Sequence, residues 1–295
     1  MGGNVRKGAL GAALVLVTAL AAVPGVCASG LDEMISPVSM PTVNEDPRST
    51  TEIRPIYMFT RISEDFVTKG GHYSVVAAQA RVAITDRISF IATKDGYIWL
   101  DTDEVLPNEN GWANIAFGLK GALLKDDDAA FILSAGLRYE TPWGSQDVLQ
   151  GKGDGVLNPF FSVAKGFEDF HMQGYTGPGI PISSDDSTFY DVALHFDYRL
   201  FERLYPLFEF NWRYTIRGGG RLPIDQEGFD LVNIGSQDAG GNSVGTVAFG
   251  ARWRVVDDLD LGAVLEVPVT SRHDIFGWRV TTDLIWRPLG WGGLL

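Results

Sequence analysis

Carboxylates, arginines and one histidine recur at every second position along part of this sequence. In residues 189–215, Asp191, His195 and Asp197 alternate with apolar side chains, and Glu209 and Arg213 continue the alternation after a short break. A histidine between carboxylates could take part in acid–base catalysis, and mixed charges could instead line a polar passage. The elements that carry these side chains decide between the two.

The four histidines do not form a recognisable hydrolytic site. An esterase or lipase needs a serine and a histidine within hydrogen-bond reach, with a polar third residue. His195 lies on a polar strand face, and the others lie beside connections: His72, His171 and His273. No serine is spaced to pair with any of them. We therefore predict no catalytic residues and no enzymatic activity.

Two loop motifs resemble ligand-binding sequences only superficially. GSQDVLQGKGDG contains Gly-Lys but lacks the spacing of a phosphate-binding loop, and no buried parallel strand precedes it. DTDEVLPNENG is acidic but lacks the alternating ligands and final glutamate of an EF-hand. Loose binding of divalent cations by this loop stays open, but we predict no cofactor and no specific metal site.

Apolar residues alternate with polar ones over most of the chain, and this period of two predicts an all-β protein. Twelve strands are predicted, at residues 53–61, 72–84, 88–99, 112–124, 129–141, 156–165, 170–178, 187–200, 204–216, 244–255, 259–269 and 275–286. Tight turns follow every even-numbered strand before the last, and mostly longer loops rich in Gly, Asp and Ser follow the odd-numbered ones. This alternation is typical of a twelve-stranded antiparallel up-and-down β-barrel.

The composition of the two strand faces predicts that the barrel spans a membrane. The apolar faces carry no charge in the strands predicted at 129–141, 244–255, 259–269 and 275–286. The polar faces mix small residues with charges of both signs. A sheet that crosses hydrocarbon must close on itself to pair its backbone groups. Lys94 is an exception, because it falls in phase with Ile88 and Phe90, so either it lies above the bilayer or the phase slips at Asp95-Gly96. Aromatic residues near strand ends would form the interfacial girdles: Tyr190, Tyr198, Trp212, Trp253, Trp278 and Trp286.

The polar faces then point into the barrel, where they define candidate lumen residues. These are Arg81, Lys120, Arg138, Asp191, His195, Asp197, Arg199, Glu209, Arg213, Arg252, Arg254, Glu266, Arg279 and Asp283. Such charges could pair across strands to hold the interior together, since buried charges need partners. They could also set the selectivity of a narrow passage. We favour a mixed network, which is compatible with a passage beside it.

The chain ends divide into further segments. Residues 1–28 combine Arg6 and Lys7 with an apolar run and a small-residue site near Ala28, which predicts a cleaved signal peptide containing the single cysteine, Cys27. Removing those two cations takes the formal net charge from −13 to −15, which argues against binding nucleic acid. Residues 29–52 are predicted to be irregular, residues 53–287 form the barrel, and residues 288–295 form a tail. Whether residues 29–52 enter the barrel is not decided by the sequence.

The signal peptide, the even strand count, the alternating loops and the final strand IFGWRVTTDLIW together resemble a Gram-negative outer-membrane β-barrel. The resemblance implies an outer-membrane location, contact with lipid and lipopolysaccharide, and insertion by the barrel-assembly machinery. Trp286 would be the terminal aromatic signal, although RPLGWGGLL follows it. EDPRSTTEIRPIY and DLDLGAVLEVPVT are similar to uncharacterised barrels grouped near transporter-like proteins of phenol-degradation pathways.

A passive channel or transporter for a small-molecule solute is the function we expect from this combination. The long loop at residues 217–243 could gate it. The alternatives are a structural or adhesive barrel with a sealed lumen and, less favoured, an outer-membrane enzyme. Twelve strands do not decide between them, because small barrels are filled by side chains and only wider ones hold an open aqueous channel.

Overall fold

The computed structural model describes residues 30–288. The predicted signal peptide and nearly all of the predicted tail lie outside the described residues. Within the described part, no helix is long and apolar enough to cross a membrane.

A single antiparallel sheet dominates the described chain and closes on itself. Its strands are β1 (Glu52–Ile62), β2 (Gly71–Ala83), β3 (Ile88–Lys94), β4 (Tyr97–Thr102), β5 (Glu109–Trp112), β6 (Ala116–Asp126), β7 (Phe131–Glu140), β8 (Val156–Phe167), β9 (Phe170–Pro181), β10 (Thr188–Tyr198), β11 (Leu204–Arg217), β12 (Ser243–Val256), β13 (Leu259–Pro268) and β14 (Phe276–Trp286). Strand β1 pairs with both β2 and β14, which closes the barrel.

The barrel has twelve strands, because two of them are each split in two. Strands β3 and β4 both pair with β2, one after the other, and β6 and β5 pair with β3 and β4 in the same way. The predicted twelve-stranded antiparallel barrel is therefore confirmed, with interruptions inside the predicted strands 88–99 and 112–124. Gly96 has a φ of 113°, and a Cβ there would lie 2.6 Å from the carbonyl oxygen of Val76. Only glycine suits this break.

Lys94 lies inside the barrel. A register shift between Ala92 and Lys94 changes the phase of β3 slightly before the expected Asp95-Gly96 position. The shift turns the Lys94 side chain from the apolar face to the lumen, where it is buried. A bulge of this kind leaves no clear mark in the hydrophobic pattern, because Ala92 and Thr93 fit either face.

The two faces of the wall have opposite chemistry. Along β11, Glu209, Asn211 and Arg213 point inward and are buried, whereas Leu204 and Phe208 point outward. Outward apolar residues are freely accessible, as for Phe249 at 53% and Leu265 at 47%. A soluble protein of this size does not expose so many large apolar side chains in a continuous band. The wall therefore has its apolar surface outside and its charged surface inside.

Residues 30–51, which we call the lumen segment, fill the barrel from the end with the short turns. Apart from a short 3-10 turn at Leu31–Glu33 the segment is irregular, and nearly every residue from 34 to 48 is buried. Leu31 packs against Ala130 beside one short turn, and Ser49 donates a hydrogen bond to Thr85 O in another. Both ends of the segment thus lie at the short-turn end of the barrel, so the segment enters and leaves through the same mouth.

Residues 218–242, which we call the inner loop, enter from the opposite end. Phe229, Leu231, Val232 and Ile234 of this loop are buried in the main apolar cluster, which also contains Phe276. The sequence identified this stretch as the longest loop. It forms a second insertion into the lumen, and between them the two insertions make most of the interior.

Placing a charge on the outer waist tests the membrane-facing assignment. We expect Leu265→Arg to lower the free energy of unfolding in lipid vesicles by about 2–4 kcal/mol, because the arginine would lie in hydrocarbon. Urea titration followed by tryptophan fluorescence measures the change. Trp143→Arg, in an exposed loop, is the matched control and should be near neutral. Equal effects of the two substitutions would contradict the assignment.

Candidate functional site

The structure places nearly all the candidate lumen residues inside the barrel. Those that are buried are Arg81, Lys120, Arg138, Asp191, His195, Asp197, Glu209, Arg213, Arg252, Glu266, Arg279 and Asp283. Arg199 and Arg254 instead lie partly exposed near the short-turn mouth. Arg199 pairs there with Asp169 at 2.7 Å and with Glu33 at 2.5 Å. These two arginines belong to the entrance and not to the middle of the lumen.

The aromatic residues predicted for the girdles lie on the outward faces. Tyr198, Trp253, Trp278 and Trp286 are exposed. Tyr190 and Trp212 are half-buried by outward neighbours, and Thr176 donates a hydrogen bond to the hydroxyl of Tyr190. Their positions agree with a lipid-facing surface, and their role as girdles remains a prediction.

Charges on strands of the wall that are adjacent or one strand apart pair directly with one another. Asp283 accepts from Arg54 Nε at 2.6 Å and from both terminal nitrogens of Arg252 at 2.8 and 2.9 Å. Asp191 accepts two hydrogen bonds from Arg213, at 2.7 and 2.8 Å. Each carboxylate is therefore held by charge-assisted bonds in a low-dielectric interior.

A chain of histidines and carboxylates crosses β9, β10 and β11. His171 Nδ1 lies 2.7 Å from Asp197 Oδ1, and Asp197 Oδ2 lies 2.9 Å from His195 Nε2. His195 Nδ1 lies 2.7 Å from Glu209 Oε1. Glu209 in turn accepts from the backbone N–H groups of Val38 and Ser39, at 2.8 and 2.6 Å. The chain ends on the lumen segment, and it anchors the backbone of that segment to the wall.

Glu45 of the lumen segment occupies a cradle of two cations. Arg81 donates to both of its carboxylate oxygens, at 3.0 and 2.7 Å, and Lys120 Nζ donates at 2.9 Å. Burial alone would raise the pKa of Glu45, but Arg81 and Lys120 overcome it and lower the pKa to about 2. The resulting stabilisation is present above the ordinary pKa of a glutamate and is lost only as the pH falls toward 2. Glu45 is therefore ionised at neutral pH.

The wall also binds the backbone of the lumen segment. Side chains of the wall donate to many carbonyl groups of the segment. Five of these hydrogen bonds run from Arg252 to Ser36 at 3.2 Å, from Arg54 to Pro37 at 2.7 Å, from Gln79 to Pro41 at 2.8 Å, from Arg138 to Thr42 at 2.9 Å and from Ser134 to Pro47 at 2.6 Å. Three of these five acceptors are prolines and the other two adjoin one, and proline cannot extend a β-ladder. The segment therefore stays outside the sheet and still satisfies its carbonyl groups.

The inner loop is held by a separate set of contacts. Asp230 pairs with Arg279 through hydrogen bonds of 2.7 and 3.0 Å. Lys94 donates to Leu231 O at 2.8 Å and also pairs with Glu140 at 2.5 Å. The two insertions meet where the Thr42 hydroxyl donates to Asp230 Oδ2 at 3.1 Å.

Little space remains between the insertions and the wall. A cavity of about 440 Å³ opens at the short-turn mouth and is lined by residues such as Asp32, Arg48, Arg254 and Arg287. Two cavities beside the inner loop hold only about 20 and 40 Å³, room for a few water molecules and no organic solute. In this conformation the middle of the lumen is occupied. No cluster of metal-ligating side chains was found among residues 30–288.

Several residues central to this arrangement were not among the candidates. Arg54 was missed because β1 carries apolar residues on both faces, which hides its phase. The inner face of β1, which includes Ile56, Met58 and Ile62, packs in the apolar cluster that contains the inner loop. Glu45 and Asp230 were missed because they lie in irregular segments, where no periodicity assigns a direction to a side chain.

Comparisons with known proteins agree on the fold. No family model matches the sequence, and no curated protein matches it. Among solved structures, the COG4313 outer membrane channel from Pseudomonas putida F1 is similar with a TM-score of 0.57 and 10% identity, covering 86% of this chain and 99% of that one. The NanC porin is similar with a TM-score of 0.52 and 8% identity, covering 81% and 100%. At these identities the likeness establishes the outer-membrane barrel fold alone.

Removing the shared carboxylate of the wall should expose the cost of unpaired lumen charges. We expect Asp283→Asn to lower the free energy of unfolding by about 3–5 kcal/mol, because Arg54 and Arg252 would lose their common counter-ion while still buried. Urea titration in lipid vesicles measures this. The control is Asp257→Asn, which removes an exposed partner of Arg203 and should change stability by less than about 1 kcal/mol. A neutral Asp283→Asn variant would show that the lumen is well hydrated.

Proposed function

We propose that this protein is an outer-membrane channel for small solutes, closed in the present conformation by the lumen segment and opened when that segment withdraws. The observation that carries the proposal is the position of residues 30–51. A piece of chain outside the sheet fills the middle of the barrel. It is held to the wall by hydrogen bonds and ion pairs that water can replace, as well as by apolar packing of Ile35 and Val38 against the wall.

The path of the lumen segment makes withdrawal feasible. Both ends of the segment lie at the short-turn mouth. Its middle meets the inner loop through the hydrogen bond from Thr42 to Asp230 and through Met40 and Val43, which pack in the shared apolar cluster. A loop that enters and leaves through one mouth can retreat without threading a chain end through the barrel. Withdrawal leaves the sheet hydrogen bonds intact, so the barrel wall need not deform.

A sealed structural or adhesive barrel is the second candidate. It is favoured by the apolar packing of the inner loop, in which the Phe229 and Phe276 rings lie 4.8 Å apart. Water cannot take the place of apolar contacts of that kind. The lumen segment, in contrast, relies in part on buried ion pairs. An interior that is permanently sealed is built at lower cost from apolar side chains than from buried ion pairs. This contrast is why we prefer a channel.

The remaining parts of the proposal follow from the channel reading. We propose that the protein resides in the outer membrane after export, with lipid, lipopolysaccharide and the barrel-assembly machinery as partners, and the apolar outer band supports the membrane location. We propose that no catalytic step is involved. The resemblance to transporter-like barrels of phenol-degradation pathways rests on short sequence stretches, and we carry no substrate over from it.

Locking the lumen segment to the wall tests the proposal. Ser39 and Asn211 share a hydrogen bond of 2.8 Å, so the double variant Ser39→Cys/Asn211→Cys brings two thiols together, and Cys27 lies ahead of the predicted cleavage site. We expect the oxidised protein to give no ion conductance in planar bilayers and the reduced protein to conduct. Each single-cysteine variant is a control and should not respond to reductant. Equal conductance of the oxidised and reduced protein, or none in either, would contradict a gate made by this segment.

A further inference from the structure

The cations of the lumen wall differ in where their counter-ions come from. Arg54, Arg213 and Arg252 pair with carboxylates of the wall itself. Within the described residues, Lys120 forms its ion pair only with Glu45 of the lumen segment, and Arg138 forms none. Arg81 shares its charge between Glu45 and Glu52. These three cations, which we call the cationic face, depend on the segment or on neutral partners.

The cationic face is one continuous surface on neighbouring strands. Lys120 on β6 lies opposite Ser89 of β3, and Arg138 on β7 lies opposite Gly118 of β6. Arg81 and Arg138 are further linked through Gln79 and Thr93, since Gln79 binds Thr93 O and contacts Arg81 while Arg138 contacts the Thr93 hydroxyl. A solute passing along this side of the lumen would meet all three cations.

The cradle around Glu45 has the geometry of a carboxylate receptor. The guanidinium of Arg81 faces both carboxylate oxygens in the bidentate arrangement, and Lys120 adds a third donor. All three side chains are almost completely buried. The glutamate that fills this cradle belongs to the movable segment, whereas both cations belong to the wall.

Arg138 adds an aromatic neighbour to the site. Its guanidinium lies 5.0 Å from the Phe160 ring centre and 5.4 Å from that of Tyr175, and it donates to the Tyr175 hydroxyl at 2.7 Å. It also donates to Thr42 O of the lumen segment. When the segment leaves, Arg138 has free donors beside flat apolar surfaces, which suits a carboxylate attached to a carbon skeleton.

Withdrawal of the lumen segment takes the carboxylate of Glu45 away from the cations of the wall, and another negative charge must take its place. Without Glu45, Glu52 is the only acid among residues 30–288 within salt-bridge distance of the cationic face. Unpaired cations in a confined lumen are costly, so an incoming anion stabilises the open state over the closed one. A cation or a neutral solute offers no such compensation.

We propose that the cationic face is a binding site for small organic carboxylates, that Glu45 occupies it as an internal substitute in the closed state, and that such carboxylates are the solutes that pass. The identity of the solute rests on the proposed channel function. The existence of the site does not, because a carboxylate can compete for the cradle whether or not anything crosses the barrel.

The site is tested by chemical rescue. Glu45→Ala empties the cradle while the rest of the chain is kept, and we expect a lower melting temperature than the wild type. Sodium acetate should restore part of the loss in a saturable manner, because acetate can take the place of the missing carboxylate, and equimolar sodium chloride should not. Glu33→Ala is the matched control from the same segment, since Glu33 pairs with Arg199 at the exposed mouth. Equal effects of acetate and chloride, or equal rescue of both variants, would overturn the site.

The solute class is tested by reversal potentials of the full-length protein in a gradient of sodium benzoate. We expect benzoate to be more permeant than sodium, and Arg138→Gln to reduce this preference several-fold. Arg203→Gln, which removes the same charge from an exposed turn, should leave the preference unchanged. Conductance with a preference for sodium would overturn the carboxylate as solute while leaving the channel in place. Absence of conductance in the reduced double-cysteine protein would instead count against the proposed function, and the rescue experiment would still decide the site.

Discussion

Every cation inside this barrel must have a partner, and that requirement shapes the rest of the interior. Closing the sheet in hydrocarbon satisfies the backbone but encloses arginines and lysines in a space with little water. Asp283 and Asp191 meet part of the requirement from within the wall. Two insertions supply further partners, since they bring Glu45 from one end and Asp230 from the other. The interior is therefore assembled from three separate parts of the chain.

The same requirement explains why the lumen segment is neither a strand nor a helix. A strand would have to join a sheet that is closed and has no free edge. A helix would use its carbonyl groups for its own backbone hydrogen bonds. The irregular path of residues 30–51, with Pro37, Pro41 and Pro47, leaves carbonyl groups free to accept from Arg54, Gln79 and Ser134. Proline here removes donors that the cationic wall could not satisfy.

Sequence periodicity predicted the barrel because the wall obeys one rule, with apolar side chains outside and polar ones inside. That rule placed Asp191, His195 and Glu209 on one face of their strands. It fails where the inside is not polar. On β1 the inner residues Ile56 and Met58 pack in the apolar cluster with the inner loop, so both faces look alike. The rule also makes no prediction for Glu45, because the direction of its side chain is set by cations that lie 36 and 75 positions away along the chain.

The two insertions differ in chemistry, and so they differ in what can move them. The inner loop is packed through Phe229, Leu231 and Val232, contacts that water and small ions do not replace. The lumen segment is bound through carboxylates and carbonyl groups as well as through buried apolar residues such as Ile35 and Val38, and a solute with carboxylate groups competes for the polar part of these contacts. The two insertions contact each other through Thr42 and Asp230, and Met40 and Val43 of the lumen segment pack in the shared apolar cluster. Displacing the segment therefore exposes part of that cluster, and it weakens the inner loop as a consequence. Under the channel function that we propose, we therefore expect withdrawal of the segment at the short-turn mouth to promote opening at the other end.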